Sequence, residues 1–248
     1  MAQIIRNQSA LKEEYFRLKK QNFRTAVLAA VFVLIAIVGS IIMNSGKIYA
    51  FGMTLTALSV IGFFVCIVHI LSLQSDLAIK KQGVEGEDIT ADILRRSLSD
   101  KYTVFQNSVI TLDGKSSEID FIVVGENGVF VVETKRKNGR ITGDYNKERW
   151  TQHKTGRRGT EYSSEFYSPV KQVKTHIFRL AGYLKRNGIG VHIDGAVYFS
   201  NEEACLELSG SADKIPVFCR KKALISFINN NENKIRPDTV EKINKLLK

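Results

Sequence analysis

The chain has 248 residues, 44% of them hydrophobic and 25% charged, and its 36 Lys and Arg outweigh 25 Asp and Glu for a net charge of +11. Three widely spaced cysteines, Cys66, Cys205 and Cys219, form no CxxC or His/Cys cluster, which argues against a zinc or dithiol site and fits a reducing compartment. The basic excess suits a polyanionic partner or an anionic lipid surface and does not choose between them.

Residues 3–23 mix charges with Ile4, Ile5, Leu11, Tyr15, Phe16 and Leu18, a pattern that predicts a short amphipathic helix at a membrane surface, within a cytoplasmic segment 1–24. Residues 25–46 carry no Lys, Arg, Asp or Glu, and neither do residues 48–75. Each run reaches the roughly 20 apolar residues that a bilayer crossing needs. A signal peptide is shorter and is not followed at once by a second span. The expectation is a transmembrane helical hairpin over 25–75, with the bilayer as partner. Arg6, Lys12, Arg17, Lys19, Lys20 and Arg24 precede it, Lys47 alone lies between the spans, and Lys80 and Lys81 follow. That bias predicts two passes with both termini cytoplasmic. His69, near the end of the second span, reads as an interfacial residue.

From Gly83 to about Ser99, Ile89, Ile93, Leu94 and Leu98 recur at helical spacing. A strand is expected over 102–106, then a polar connection containing Asp113-Gly114. Two β-branched and aromatic runs, 118–124 and 129–135, flank Gly125-Glu126-Asn127-Gly128 and read as an antiparallel hairpin. Pairing Val124 with Val129 sets Val123 against Phe130 and Ile122 against Val131. Both faces of the hairpin are apolar, so its strands should be central and covered on both sides, in an α/β sandwich. Residues 139–168 are polar and basic, with a short strand expected near 148–153 and Trp150 as a packing anchor. Pro169 should open a helix that Gly188 stops. Strands at 193–199 and 215–219 and helices at about 220–230 and 238–247 complete the pattern, the region 201–248 packing on the domain.

The same register sets Asp120 against Glu133, two like charges that repel unless a proton or a cation lies between them. The period of two puts Lys135 on the Glu133 face, opposite Glu118. Two acids and a lysine converging at one end of a hairpin suit a hard divalent ion such as Mg²⁺, which takes one or two carboxylates plus water. A cross-strand Lys135–Glu118 salt bridge is the plainer reading of the same residues.

"EIDFIVVGENGVFVVETK" resembles the core of the nuclease-related domain, a branch of the PD-(D/E)xK nuclease superfamily that includes archaeal Holliday-junction resolvases and Mrr-type restriction enzymes. "GVEGE" at 83–87, Trp150 and "SPVKQ" at 168–172 follow the same order, so the resemblance covers roughly 80–200. It implies a restriction-endonuclease-like core, a central mixed β-sheet flanked by helices, preceded here by two transmembrane helices. It also implies that Asp120, Glu133 and the Thr134 backbone carbonyl ligate Mg²⁺ or Mn²⁺, and that Lys135 serves the attacking water or the phosphate. By the same resemblance Glu87 adds an acidic group to the metal or its water, and Gln172 contacts substrate or the lysine. Two departures stand out: Ile119 replaces the proline before the first acid, and His176 stands where a related branch has tyrosine.

Arg136, Lys137, Arg157 and Arg158 are candidates for gripping phosphates, and His153 for shuttling a proton. The function expected is a membrane-anchored, Mg²⁺- or Mn²⁺-dependent deoxyribonuclease on the cytoplasmic face. The alternatives are a non-catalytic membrane-tethered nucleic-acid-binding module, and an interaction protein whose basic surface meets lipid head groups.

Overall fold

A computed structural model describes residues 1–46, 48–156, 159–210 and 215–248. The chain divides into two compact units, one of Ser9–Gln82 and one of Met1–Gln8 with Gly83–Lys248.

The first unit holds α1 (Ala10–Asn44) and the larger part of α2 (Tyr49–Ser97). Ser9 caps α1 by accepting from the Lys12 N–H. Both helices are long and apolar enough to cross a membrane, yet only 11% of the most apolar window of each is buried. Leu34, Ile41, Leu58, Phe64 and Val68 lie exposed. The helices pack tightly at two glycines: a Cβ on Gly39 would sit 2.5 Å from Thr56 Oγ1, and one on Gly52 would sit 2.5 Å from the Met43 nitrogen. Small residues that bring backbones this near are the packing device of helices in lipid. Lys80 pairs with Glu14 at 2.6 Å, and Gln21 Nε2 lies 3.1 Å from His69 Nε2. Lys47 lies outside the described residues.

In the second unit the chain begins with β1 (Gln3–Arg6), which pairs in parallel with β2 (Thr103–Leu112) from Gln3↔Thr103 to Arg6↔Gln106. The helix expected over 3–23 is therefore replaced at its start by a strand. Ile4 and Ile5 pack on the cores of this unit, and α1 begins only at Ala10. The second apolar run and the helix expected from Gly83 are continuous as α2, because nothing between Asp76 and Gly83 breaks a helix.

Asp113 and Gly114, both at positive φ, turn β2 into β3 (Lys115–Gly125), and β4 (Gly128–Lys135) follows. β3 and β4 pair in the expected register: Val124↔Val129, Val123↔Phe130 and Ile122↔Val131. After α3 (Pro169–Arg186), β8 (Ile193–Phe199) lies parallel to β4. β10, expected over 215–219, is only Val217–Phe218. Among the described residues this sheet runs β1-β2-β3-β4-β8-β10. Val129 and Val131 belong to one core with Val170, Val173, Leu180 and Leu184 of α3, while Phe130 and Val132 belong to another with Ala91, Leu94 and Leu98 of α2. Leu224 and Ile228 of α4 (Lys221–Asn229) join the latter, and Ile243 of α5 (Pro237–Leu246) joins the former. The mixed sheet is thus covered on both faces.

Where one strand was expected, the described residues of the region 139–168 hold three: β5 (Gly139–Asp144), β6 (Arg149–Thr155) and β7 (Glu161–Tyr167). With β9 (Ala204–Ser209) they form a second sheet in the order β7-β6-β5-β9. Trp150 is its anchor: fully buried, packed edge-on against Tyr145 and Phe166, with Nε1 donating to the Asp144 carbonyl.

Candidate active site

The β3–β4 ladder ends at Phe121↔Val132, although β3 extends back to Lys115 and β4 onward to Lys135. The expected backbone pairs Asp120↔Glu133 and Glu118↔Lys135 therefore do not form. The Thr134 N–H, which a continued ladder would have bonded to the β3 backbone, donates to Asp120 Oδ2 at 2.8 Å. The Lys135 carbonyl accepts from the Ser200 N–H on the β8 side. Carbonyls alternate along a strand, so the Thr134 carbonyl turns toward β3 and the Asp120 carboxylate.

Glu133 and Lys135 share the face covered by α3. Lys135 Nζ donates to Glu133 Oε1 at 2.6 Å and to Gln172 Oε1 at 3.2 Å. The expected Lys135–Glu118 bridge is thus replaced by a bond along the same strand. Pro169 at the first turn and the Ser168 hydroxyl, which accepts from the Lys171 N–H, set the start of α3 and so the position of Gln172. One turn further on, His176 Nε2 lies 3.3 Å from Glu133 Oε2. On the other face, Thr134 Oγ1 donates to Thr90 Oγ1 of α2 at 3.1 Å. Glu87 of α2 accepts from Asn107 Nδ2 at 3.4 Å.

The electrostatics follow from this crowding. Loss of hydration, then the charge of Glu133, push the Asp120 carboxyl well above the usual carboxylate range, against Lys135 and the Thr134 N–H. Burial works the same way on Glu133, which is 1% exposed, but Lys135 and His176 outweigh it and hold its carboxyl below its ordinary value. Burial would lower Lys135, but Glu133 and Asp120 raise it and keep it charged. The charge of Glu87 is felt by both Asp120 and Lys135. Asp120, Glu133, Lys135 and Gln172 are thereby brought together in one connected cluster, with Glu87 inside its field.

The donor set fits a hard cation. Two carboxylates of mutually repelling charge and a backbone carbonyl are all oxygen ligands, and Glu133 Oε2 is buried without a well-aligned hydrogen bond. No group of three or more His, Cys, Asp or Glu side chains is gathered for a metal among the described residues. A cation held here would rely on the Asp120 and Glu133 carboxylates, the Thr134 carbonyl and water, the sparing ligation that Mg²⁺ accepts.

The two basic candidates among the described residues, Arg136 and Lys137, are already engaged. Arg136 pairs with Glu85 at 3.4 Å. Lys137 donates to Gln152 Oε1 at 3.3 Å and sits 4.5 Å over the Phe166 ring, and its burial beside Lys154 and Lys135 lowers its pKa. Arg157 and Arg158 lie outside the described residues. His153 bonds Thr142 Oγ1 at 3.0 Å within the second sheet, away from the carboxylates in sequence and topology.

Residues 82–200 match the family model of the nuclease-related domain. This segment is a nuclease-related domain. An uncharacterized protein of Bacillus anthracis is 36% identical over 96 residues, which are 38% of this chain and 45% of the relative. The chain thus covers less than half the length of that curated relative. No solved structure matches. The nuclease-related domain holds every candidate in the cluster, from Glu87 on α2 to Gln172 on α3. Sequence reasoning assigned no role to two residues beside the site. His176 had a signal, its four-residue spacing from Gln172, which puts both on one helix face. Asn107, buried at φ 57 and donating to Glu87, had none.

Proposed function

We propose that the chain is a membrane-anchored, metal-dependent nuclease that hydrolyses phosphodiester bonds of DNA on the cytoplasmic face. The observation that carries this reading is the cluster where β3 and β4 stop pairing: two mutually repelling carboxylates, a released backbone carbonyl and a charged lysine. Asp120, Glu133 and the Thr134 carbonyl would hold Mg²⁺ or Mn²⁺, with Glu87 acting on the metal or its water. The cation, when bound, supplies Lewis acidity toward a phosphoryl oxygen. Lys135 carries only donors, so its part is to orient the attacking water or to stabilise charge building on the phosphate. Gln172 holds Lys135 to that direction through its Oε1. The family supports DNA as the polyanion, and the net charge of +11 favours such a partner. The exposed apolar flanks of α1 and α2 support a bilayer around them, and the basic residues before Thr25 support cytoplasmic termini.

The test is digestion by the full chain in lipid nanodiscs, offered linear, circular and branched DNA with and without Mg²⁺ or Mn²⁺. Metal-dependent cleavage by wild type and none by Glu133→Gln is the expected result. DNA binding without cleavage under every metal would replace the enzyme by a non-catalytic tethering module.

A further inference from the structure

α3 engages both ends of the Glu133-x-Lys135 pair, and only one of its two contacts has a part in the chemistry proposed for the cluster. Gln172 takes Lys135, and His176 faces the far oxygen of Glu133 at 3.3 Å. His176 is 5% exposed and lies among Val173, Leu180 and Leu184 on the buried face of its helix. A buried imidazole ordinarily has a hydrogen-bond partner for each nitrogen. Neither ring nitrogen of His176 makes a well-aligned hydrogen bond, and the same is true of Glu133 Oε2. Three buried polar atoms without good partners thus meet at one place, beside the carboxylate that carries the candidate chemistry. An apolar residue would fill this position on α3 at lower cost, since a buried polar group without a partner loses its hydration and gains nothing in return.

We propose that His176 is the positioning residue of Glu133: with its proton on Nε2 it donates to Oε2 and fixes the plane of the carboxylate for a cation. This inference rests on the metal-dependent reading of the cluster and adds a residue to it. An ionised carboxylate has about four lone-pair directions. Lys135 takes one on Oε1 and His176 takes one on Oε2, which leaves one on each oxygen. Side chains that hold a ligating carboxylate from behind tune metal affinity, and their loss typically costs about 10–100-fold in binding. The position of the donor is what counts. Glutamine carries its amide nitrogen at a reach close to that of histidine Nε2, whereas leucine fills the same space with no donor.

The experiment is calorimetric titration of the full chain in nanodiscs with Mn²⁺ alone, without DNA, for wild type, His176→Leu and His176→Gln. Thermal melts in EDTA establish that each variant is folded, and a variant that is not is replaced by His176→Met or His176→Asn at the same readout. The expected result is a roughly 10–100-fold weaker Mn²⁺ affinity for His176→Leu and recovery to within a few-fold of wild type for His176→Gln. Unchanged affinity in the leucine variant overturns the proposal while leaving the metal site standing. Equal loss in both variants also overturns it, since that result would make the imidazole itself the ligand. A wild-type chain that binds no Mn²⁺ removes the metal reading and this inference together.

Discussion

The Thr134 N–H donates to the Asp120 side chain at 2.8 Å, in the place where strand pairing would have continued. One side chain has taken over a backbone bond and so parts two central strands at the point where the acids meet. The separation frees the Thr134 carbonyl, and the donated N–H offsets only part of the penalty that Asp120 carries.

That penalty makes Asp120 a liability without a cation. An acid whose native pKa is raised gives up stability as pH climbs through the raised value. The asparagine introduced by Asp120→Asn keeps an oxygen for the Thr134 N–H and offers an amide to Glu133. Metal-free Asp120→Asn should therefore be more stable than wild type at neutral pH by about 0.5–2 kcal/mol. The gap should close below pH about 3.9, where the carboxyl is protonated whether folded or not. Denaturant titrations in EDTA at several pH values measure it.

Added Mg²⁺ should raise the melting temperature of wild type and leave Asp120→Asn nearly unmoved, because a ligand of the native state stabilises it in proportion to its occupancy. Equal responses of the two proteins would place the binding elsewhere.

Lys135 compensates a carboxylate that is almost wholly buried. Lys135→Met should cost the metal-free fold up to about 3 kcal/mol, the low end for breaking a buried pair. In wild type, the depressed Glu133 carboxyl contributes stability above its unfolded pKa that is lost as pH falls through the folded value. The variant lacks that contribution, so its deficit should be widest at neutral pH and shrink toward acid. A deficit independent of pH would mean that packing, not charge, sets it.

Gln172 meets the cluster through Lys135, whose Nζ donates to its Oε1. Gln172→Leu should lower kcat by about tenfold, the rate equivalent of a charge-assisted bond worth roughly 1.5 kcal/mol. Mn²⁺ affinity should change little, and single-turnover cleavage beside calorimetry separates the two.

β1 belongs to the same unit as the nuclease-related domain although α1 and most of α2 come between them in the chain. Replacing residues 9–82 by a flexible linker should give a more stable protein than residues 83–248 alone, which lack β1 and leave β2 as an open edge. Urea melts of the two proteins compare them directly. For the full chain in bacteria, a periplasm-active reporter fused to either terminus should stay silent.

The hairpin register was legible because Phe121–Val124 and Val129–Val132 alternate between two apolar faces around a turn that fixes the pairing. Asp120, Glu133 and Lys135 followed from that register, and Gln172 from the motif after Ser168. Of the second sheet only β6 was legible, as the strand expected near 148–153: β7 buries almost nothing, and β5 interleaves Gly139, Gly143 and polar residues, so neither shows a strand period. β1 was hidden for another reason. Four residues that border a long helix take their structure from Thr103–Gln106, and no local pattern announces a partner so remote. The early end of the β3–β4 ladder was hidden too, since it depends on a side chain winning a backbone donor.

The remoteness of that partner has a kinetic side. Gln3 is synthesised a hundred positions before Thr103, and both apolar helices emerge in the interval. The first strand must wait, unpaired, until the helical pair has been delivered, and contacts so distant along the chain form late. A pair of helices that left its two flanks in different compartments could never let Gln3–Arg6 reach β2. Closure of the sheet edge is therefore a late checkpoint, passed only by chains whose two flanks end up in one compartment.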